Sequence, residues 1–339
     1  MLIHVATPFS TGTGIYLSDY DLIVTNEHVV RSNRSVVVEG EGMEEHLAPV
    51  VYLDSYYDLA FLRAVERPSD GVVLADHAAR VGDRVVLVDE REVTGEITAV
   101  NVAQHGIDYL QHSAWSADFR PGSPLLDESG RLTGINMLAG EEAGEVLALP
   151  VVALRQVLED FSKGRGQGAA RCFNCREITF EVAENPRGYC PSCGKALVLP
   201  SLIVEATPSG IAATVEDILR AADYDPRLAR RGPDLWRIRK GSATIQVTYH
   251  EDSGLVTGDA YLCRLPEQPS ADLFAFLLRE NEDLRQLTFS THGEDIILSL
   301  LIYDRYLSVD TALPRFQALF AQADDYDDVL VETYGGRWR

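Results

Sequence analysis

The sequence predicts three modules in order: an all-β barrel or sandwich, a small cysteine-rich metal module, and an α+β module. Three observations carry this. Short alternating apolar runs punctuated by Gly, Asp, Asn or Pro fill residues 1–160, and two Cys-x-x-Cys pairs fall between 171 and 200. From about 205 the periodicity alternates between helical and strand-like, in the order helix, three strands, helix, two strands, helix. At roughly 100–200 residues per domain, 339 residues hold two or three domains.

Hydrophobic residues at 46% and charged residues at 24% make up an ordinary globular composition and exclude a disordered chain. The 52 acidic against 30 basic side chains leave a formal charge of -22, which repels phosphate backbones. General nucleic-acid binding is therefore not expected. No apolar run approaches the roughly 20 residues that span a bilayer, so no membrane partner is expected. Met1-Leu2-Ile3-His4-Val5 has neither a basic n-region nor an apolar h-region, which points to a cytoplasmic location.

The strand runs of the first half include Gly14-Ile15-Tyr16-Leu17, Leu22-Ile23-Val24, Ser35-Val36-Val37-Val38, Leu59-Ala60-Phe61-Leu62 and Arg84-Val85-Val86-Leu87-Val88. A helix over Pro150–Phe161 closes this half, with apolar residues at three- and four-residue steps and Pro at its start. The first domain is thus placed at 1–162. Residues 163–170, with Gly164, Gly166 and Gly168, read as a flexible linker. The cysteine module follows at 171–200 and the α+β module at 201–339.

In the last module a helix is expected near 213–223 with Thr214 as N-cap and an acidic first turn. Strands are expected at 235–240, 243–250 and 256–264, a helix at 271–280, two further strands, and a last helix from about 312. Leu313, Phe316, Leu319, Phe320 and Ala323 fall at helical spacing as core. Asp324-Asp325-Tyr326-Asp327-Asp328 lacks the Gly and distal Glu of a calcium loop and reads as a solvated acidic face. Cys263 reads as a small buried hydrophobe.

Three segments of the first half carry chemistry. Thr25-Asn26-Glu27-His28 runs a strand into a histidine, Asp58 heads the run Leu59-Ala60-Phe61-Leu62, and Pro121-Gly122-Ser123-Pro124-Leu125-Leu126-Asp127 holds a serine. In that chain order His28, Asp58 and Ser123 can supply a base, its orienter and a nucleophile.

These segments, with Gly12-Thr13-Gly14, Val81-Gly82-Asp83, Gly95-Glu96-Ile97, Gly134-Ile135-Asn136 and Ala148-Leu149-Pro150-Val151, resemble the trypsin-like serine proteases of chymotrypsin fold, specifically the HtrA-like branch. The resemblance implies a double β-barrel over residues 1–160 with His28 and Asp58 as catalytic His and Asp. The departure lies at the nucleophile. The family reads Gly-x-Ser-Gly-Gly-Pro or Ser-Gly-Ser-Pro before this strand, so a gap-free count from Pro124 puts Pro121 where the serine belongs. In the other frame the loop has lost three residues and Ser123 abuts Pro124. The family's second oxyanion donor then falls on Pro121, which has no N–H, and loss of one such donor costs about 10²–10³ in rate. Ser113 and Ser116 lie nearby, but nothing around them resembles a nucleophile elbow. The expectation is a pseudoprotease that binds protein; the alternative is a serine endopeptidase with His28 as base, Asp58 as orienter and Ser123 as nucleophile.

Cys172, Cys175, Cys190 and Cys193 form two knuckles with fourteen residues between them. Two residues between thiolates let both sulfurs reach one ion, and two such pairs close a tetrahedral shell suited to structural Zn²⁺. Disulfides or a redox dithiol are the other readings; the absence of an export signal favours zinc. The segment resembles a zinc ribbon. Lys163, Arg165, Arg171, Arg176, Arg187 and Lys195 make it the basic stretch of the chain and leave nucleic acid as a minor expectation. The last module resembles the YbjN-like and type III secretion chaperone-like fold, visible in Leu277-Leu278-Arg279-Glu280-Asn281. That likeness implies protein or peptide binding, or a homodimer through this module.

Overall fold

Because successive side chains of a strand point to opposite faces, the alternating runs bury one row each and close on themselves. In a computed structural model of the chain, residues 2–68, 70–89, 91–115, 120–139, 146–181, 188–205, 207–284 and 286–338 are described. The chain divides into two compact units, Met1–Ala206 and Thr207–Arg339.

In the first unit, β1 (Leu2–Ala6), β2 (Thr11–Leu17), β3 (Leu22–Thr25), the single-turn α1 (Glu27–Val30), β4 (Ser35–Gly40), β5 (Met43–Asp54) and β6 (Leu59–Arg63) follow in order. The strands pair as β5-β4-β1-β2-β3-β6, and β6 returns to β5, which completes a six-stranded barrel. A second closed barrel, β10-β11-β12-β9-β8-β7, is built from β7 (Arg84–Val88), β8 (Glu92–Gln104), β9 (Ile107–His112), β10 (Pro124–Asp127), β11 (Leu132–Ala139) and β12 (Val146–Pro150). Ile3, Val5, Ile23, Val36 and Val38 belong to the core of the first barrel, and Val85, Leu87, Ile97 and Leu125 to that of the second. A third cluster joins Tyr52 and Phe61, stacked at 4.7 Å, to Leu132, Ile135 and Leu149. Helix α2 (Val151–Ser162) caps this cluster with Leu154, Leu158 and Phe161. Each such side chain, fully buried, contributes about 1.5–3 kcal/mol.

The segment expected to be a flexible linker is instead folded. Residues 163–166 form turns, Gly164 sits so close to the Phe180 ring that a Cβ would lie 2.2 Å from it, and the Arg63 guanidinium donates to the Gly166 carbonyl at 2.9 Å. Strand β13 (Ala169–Arg171) then pairs in parallel with the end of β5, Ala169 beside Tyr52 and Arg171 beside Asp54, and antiparallel with β14 (Ile178–Phe180). Glycine serves close packing as well as looseness, and composition alone does not separate the two. The cysteine module is therefore an annex of the first barrel: Cys172, Cys190, Leu197, Leu199 and Ile203 join that barrel's core cluster. Arg171, counted among the basic flank, is only 9% exposed, and Arg187 lies outside the described residues.

The second unit holds α3 (Gly210–Ala221), α4 (Pro226–Ala229), β15 (Leu235–Lys240), β16 (Ala243–His250), β17 (Leu255–Arg264), α5 (Ala271–Asp283), β18 (Leu287–His292), β19 (Asp295–Tyr303) and α6 (Val309–Tyr334). Its five-stranded sheet runs β15-β16-β17-β19-β18, antiparallel throughout. Phe316, Leu319, Phe320 and Ala323 are buried in its core beside Trp236. Two expectations are corrected here. Helix α3 begins earlier, with Ser209 at its N-cap and no acidic residue in the first turn, and Thr214 lies inside the helix with its hydroxyl on the Gly210 carbonyl. The acidic run is not wholly solvated, because helical rotation turns Asp327 inward. It has no exposed surface and accepts a hydrogen bond from the Ser242 hydroxyl. Burial raises its carboxyl above the ordinary range. Cys263 is buried in β17, and burial pushes its thiol up to about 11. No described helix is long and apolar enough to cross a membrane.

Candidate functional site

Pairing of β3 with β6, Thr25 beside Ala60, sets the ends of these strands side by side. His28 leaves β3 on the single turn α1, and Asp58 precedes β6 with φ 52°, a left-handed conformation that Asp tolerates better than most residues. The Asp58 carboxylate meets His28 twice: Oδ2 lies 2.7 Å from Nδ1 and Oδ1 accepts from the backbone N–H at 2.9 Å. The Asn26 side-chain amide and the Glu27 N–H both donate to the Asp58 carbonyl, at 2.9 and 3.2 Å. The pair is thus held from both sides. The hydrogen bond to Asp58 raises the His28 imidazole above its ordinary value against partial burial, and its side chain remains 42% exposed.

Ser123 is placed differently. It has no exposed surface, and its hydroxyl donates to the Arg120 carbonyl at 2.7 Å, inside its own turn. A hydroxyl has one hydrogen to give, so this turn is what the Ser123 proton serves. Gly122, at φ +90°, makes the close approach possible: a Cβ there would lie 2.2 Å from the Thr13 carbonyl oxygen. Thr13 of β2 donates to the Pro121 carbonyl through its N–H at 3.4 Å and its hydroxyl at 3.0 Å. On the opposite side the Asn136 amide donates to the Ser123 carbonyl at 2.9 Å, and Asn136 Oδ1 pairs with Nε2 of His112 at 2.8 Å. His112 is buried, and burial lowers its pKa. Thr13, His112 and Asn136 escaped the sequence reading as loop supports, because their partners lie on other strands and no local spacing marks them. Ser113 is exposed and its hydroxyl accepts from the Glu96 N–H at 3.0 Å, in the β8–β9 region; Ser116 lies outside the described residues.

The four cysteines come together as a second site. One ligand atom from each of Cys172, Cys175, Cys190 and Cys193 lies within 4.8 Å of the others, so the group could hold a metal ion. Two sulfur pairs cross between the knuckles, Cys172 with Cys193 at 3.6 Å and Cys175 with Cys190 at 3.5 Å. Each knuckle closes by a tight backbone bond, Arg176 N–H to the Cys172 carbonyl and Gly194 N–H to the Cys190 carbonyl, both 2.8 Å. Desolvation pushes the Cys190 thiol up, but the N–H groups of Cys193 and Ser192 and the neighbouring thiols outweigh it and leave it at about 7. Cys193 is lowered as well, while at Cys175 the Glu177 backbone bond is outweighed by desolvation and the other three thiols, which push it up to about 12. Four sulfur donors fit a soft divalent ion.

Residues 12–135 match the family described as the trypsin-like peptidase domain. Among curated relatives, a protein of Mus musculus described as Serine protease HTRA4 is 31% identical over 184 residues, 50% of this chain and 38% of its own length. A Bartonella henselae protein described as a probable periplasmic serine endoprotease DegP-like is 27% identical over 198 residues, 54% of this chain and 39% of its own. The crystal structure of the serine endoprotease from Yersinia pestis aligns at 25% identity with a TM-score of 0.41, covering 48% of this chain and 62% of that one. By the family match and the curated relatives, residues 12–135 are a trypsin-like peptidase domain with HtrA-like homologues. The chain spans 38 and 39% of the length of the two curated relatives above.

Proposed function

We propose that this chain is a pseudoprotease, a trypsin-like domain that binds protein without cutting it, with a structural zinc ion in the cysteine cluster and a C-terminal interaction module. The observation that carries the reading is the buried Ser123 hydroxyl, committed to the Arg120 carbonyl while the His28–Asp58 pair stands half-exposed. Pro121 adds to it. In the gap-free frame Pro121 replaces the nucleophile, and in the shortened frame it removes an oxyanion donor. The cleft that retains the His–Asp pair holds an extended peptide by strand addition. For the metal, four thiols within 4.8 Å and no carboxylate or imidazole among them favour a closed shell rather than an open catalytic one.

The second reading, an active serine endopeptidase, is favoured by one observation, the intact 2.7 Å contact between His28 and Asp58. A fluorophosphonate probe separates the two. The pseudoprotease reading expects no labelling beyond that of the His28→Ala and Ser123→Ala variants. Labelling of the wild type that disappears in both variants overturns it.

A further inference from the structure

We propose that the first cysteine knuckle grips the turn that carries Asp58, so that metal loading of the cysteine cluster sets the geometry of the His28–Asp58 pair. The inference rests on the metal reading above and assigns the ion an effect at a site it does not touch.

Two sets of contacts join the knuckle to the turn. The first runs through Arg171, the residue before Cys172. Its Nη1 donates to the Arg176 carbonyl at 2.7 Å, inside the knuckle, and its Nε donates to Asp54 Oδ2 at 2.8 Å and to the Tyr52 hydroxyl at 3.3 Å. The other oxygen of Asp54 accepts the N–H groups of Tyr56 and Tyr57 at 3.1 and 3.0 Å, which fixes the turn whose next residue is Asp58. Asp54 itself has no exposed surface. A buried pair with every partner in place has one arrangement.

The second set is a clasp on the Tyr56 ring. The Arg176 guanidinium lies over it at 4.4 Å, and Phe173, between the two cysteines of the knuckle, meets it at 6.3 Å. Arg176 adopts φ 65°, a conformation costly for a non-glycine residue unless its surroundings impose it. An ion bound by Cys172 and Cys175 would hold both ends of the turn that the Arg176 N–H closes on the Cys172 carbonyl at 2.8 Å, and Arg176 with it. Phe173 is 69% exposed, so little besides the knuckle holds it in place. When the ion leaves, Phe173 and Arg176 lose their anchor, and the Tyr56–Asp58 turn loses its clasp.

The test reads His28 directly. The full chain is loaded with zinc, its metal content measured, and the His28 imidazole titrated by NMR before and after removal of the ion with a chelator; His28→Ala assigns the resonance. The loaded protein is expected to titrate above the ordinary 6.5, and the stripped protein to fall back toward it. Zinc removed, circular dichroism retained and the His28 midpoint unmoved overturns the inference and leaves the metal reading standing. A chain that takes up no metal removes both. Arg171→Met risks the fold by leaving Asp54 buried without its cation, so the deciding variant is Tyr56→Leu. It keeps the cysteines and the buried pair and removes the clasp. It also loses the Tyr56 hydroxyl's bond to the Gly106 carbonyl at 2.8 Å, so Tyr56→Phe, which keeps the ring and loses that bond alone, is the control and is expected to keep the wild-type midpoint. Zinc-loaded Tyr56→Leu is expected to show the lowered midpoint; a wild-type midpoint overturns the proposal even where chelation unfolds the unit.

Discussion

Replacement of Ser123 by Ala separates a hydroxyl that builds the loop from one that attacks a carbonyl. The hydroxyl is buried and donates to the Arg120 carbonyl at 2.7 Å, while the Ser123 N–H reaches the same carbonyl only at 3.4 Å. Ser123→Ala therefore takes away the shorter of two donors and leaves the acceptor partly satisfied. Net hydrogen-bond contributions are about 0.5–1.5 kcal/mol, rising toward about 3 where a buried partner is stranded. The retained N–H argues for the lower part of that range, about 1 kcal/mol. For a unit of some 200 residues this lowers Tm by roughly 2–4 °C. The assay is thermal unfolding of the full chain, following the chelator-sensitive transition, beside fluorophosphonate labelling of the same preparations. The expected result is a lowered Tm with labelling unchanged from wild type. An unchanged Tm together with lost labelling or lost peptide hydrolysis would show that the hydroxyl is free to react, and would refute the reasoning.

Pro121→Ser returns a hydroxyl and an N–H to the position where the family carries its nucleophile; labelling is expected to appear and to vanish again in the Pro121→Ser, His28→Ala double variant. Asp58→Asn removes the group that raises the His28 pKa, so the His28 midpoint by NMR is expected to fall. For stability the sign follows from the raised value: the pair's contribution is present below the ordinary 6.5 and is lost as pH rises through the folded value. Asp58→Asn should therefore flatten the pH dependence of unfolding in that window. Chelation is expected to lower the Tm of the first unit, and Co²⁺ substitution to give the sulfur-to-metal absorption of a tetrahedral thiolate site. Asp327 carries a raised pKa, so the second unit loses stability as pH rises from the ordinary carboxyl range through the folded value. Asp327→Asn, followed by urea unfolding at about pH 4 and 7, should remove that slope and stabilise the second unit at the higher pH.

Much of the architecture was legible locally. The runs Leu59-Ala60-Phe61-Leu62 and Arg84-Val85-Val86-Leu87-Val88 became β6 and β7, and the period of Val151–Phe161 became α2, because apolar spacing registers burial directly. The knuckles were legible for the same kind of reason, since chelation by Cys-x-x-Cys is a local geometry. What depends on distant partners was not. Ala169–Arg171 is too short to show a strand period, and it pairs with residues more than a hundred positions earlier. Asp327 looked like one of four solvated carboxylates, yet the rotation of α6 turns it toward Ser242. Arg171 looked like part of a basic surface until Asp54 and Tyr52 were found around it.

The survival of the His28–Asp58 pair is weak support for catalysis, and the reason is structural. Its geometry is set by the pairing of β3 with β6, by the Asn26 amide and the Glu27 N–H on the Asp58 carbonyl, and by Asp54 on the turn before it. None of these groups belongs to the Arg120–Ser123 loop. The loop in turn is held by Thr13 on one side and by Asn136 and His112 on the other. The bonds named on the two sides are different ones, although the two groups meet where a Cβ on Gly122 would lie 3.3 Å from Asn26 Oδ1. The bonds that hold the pair run from Asn26, Glu27 and the His28 backbone to Asp58 and do not use the Ser123 hydroxyl. The pair keeps its short contact and raised pKa whether or not anything is left for it to deprotonate.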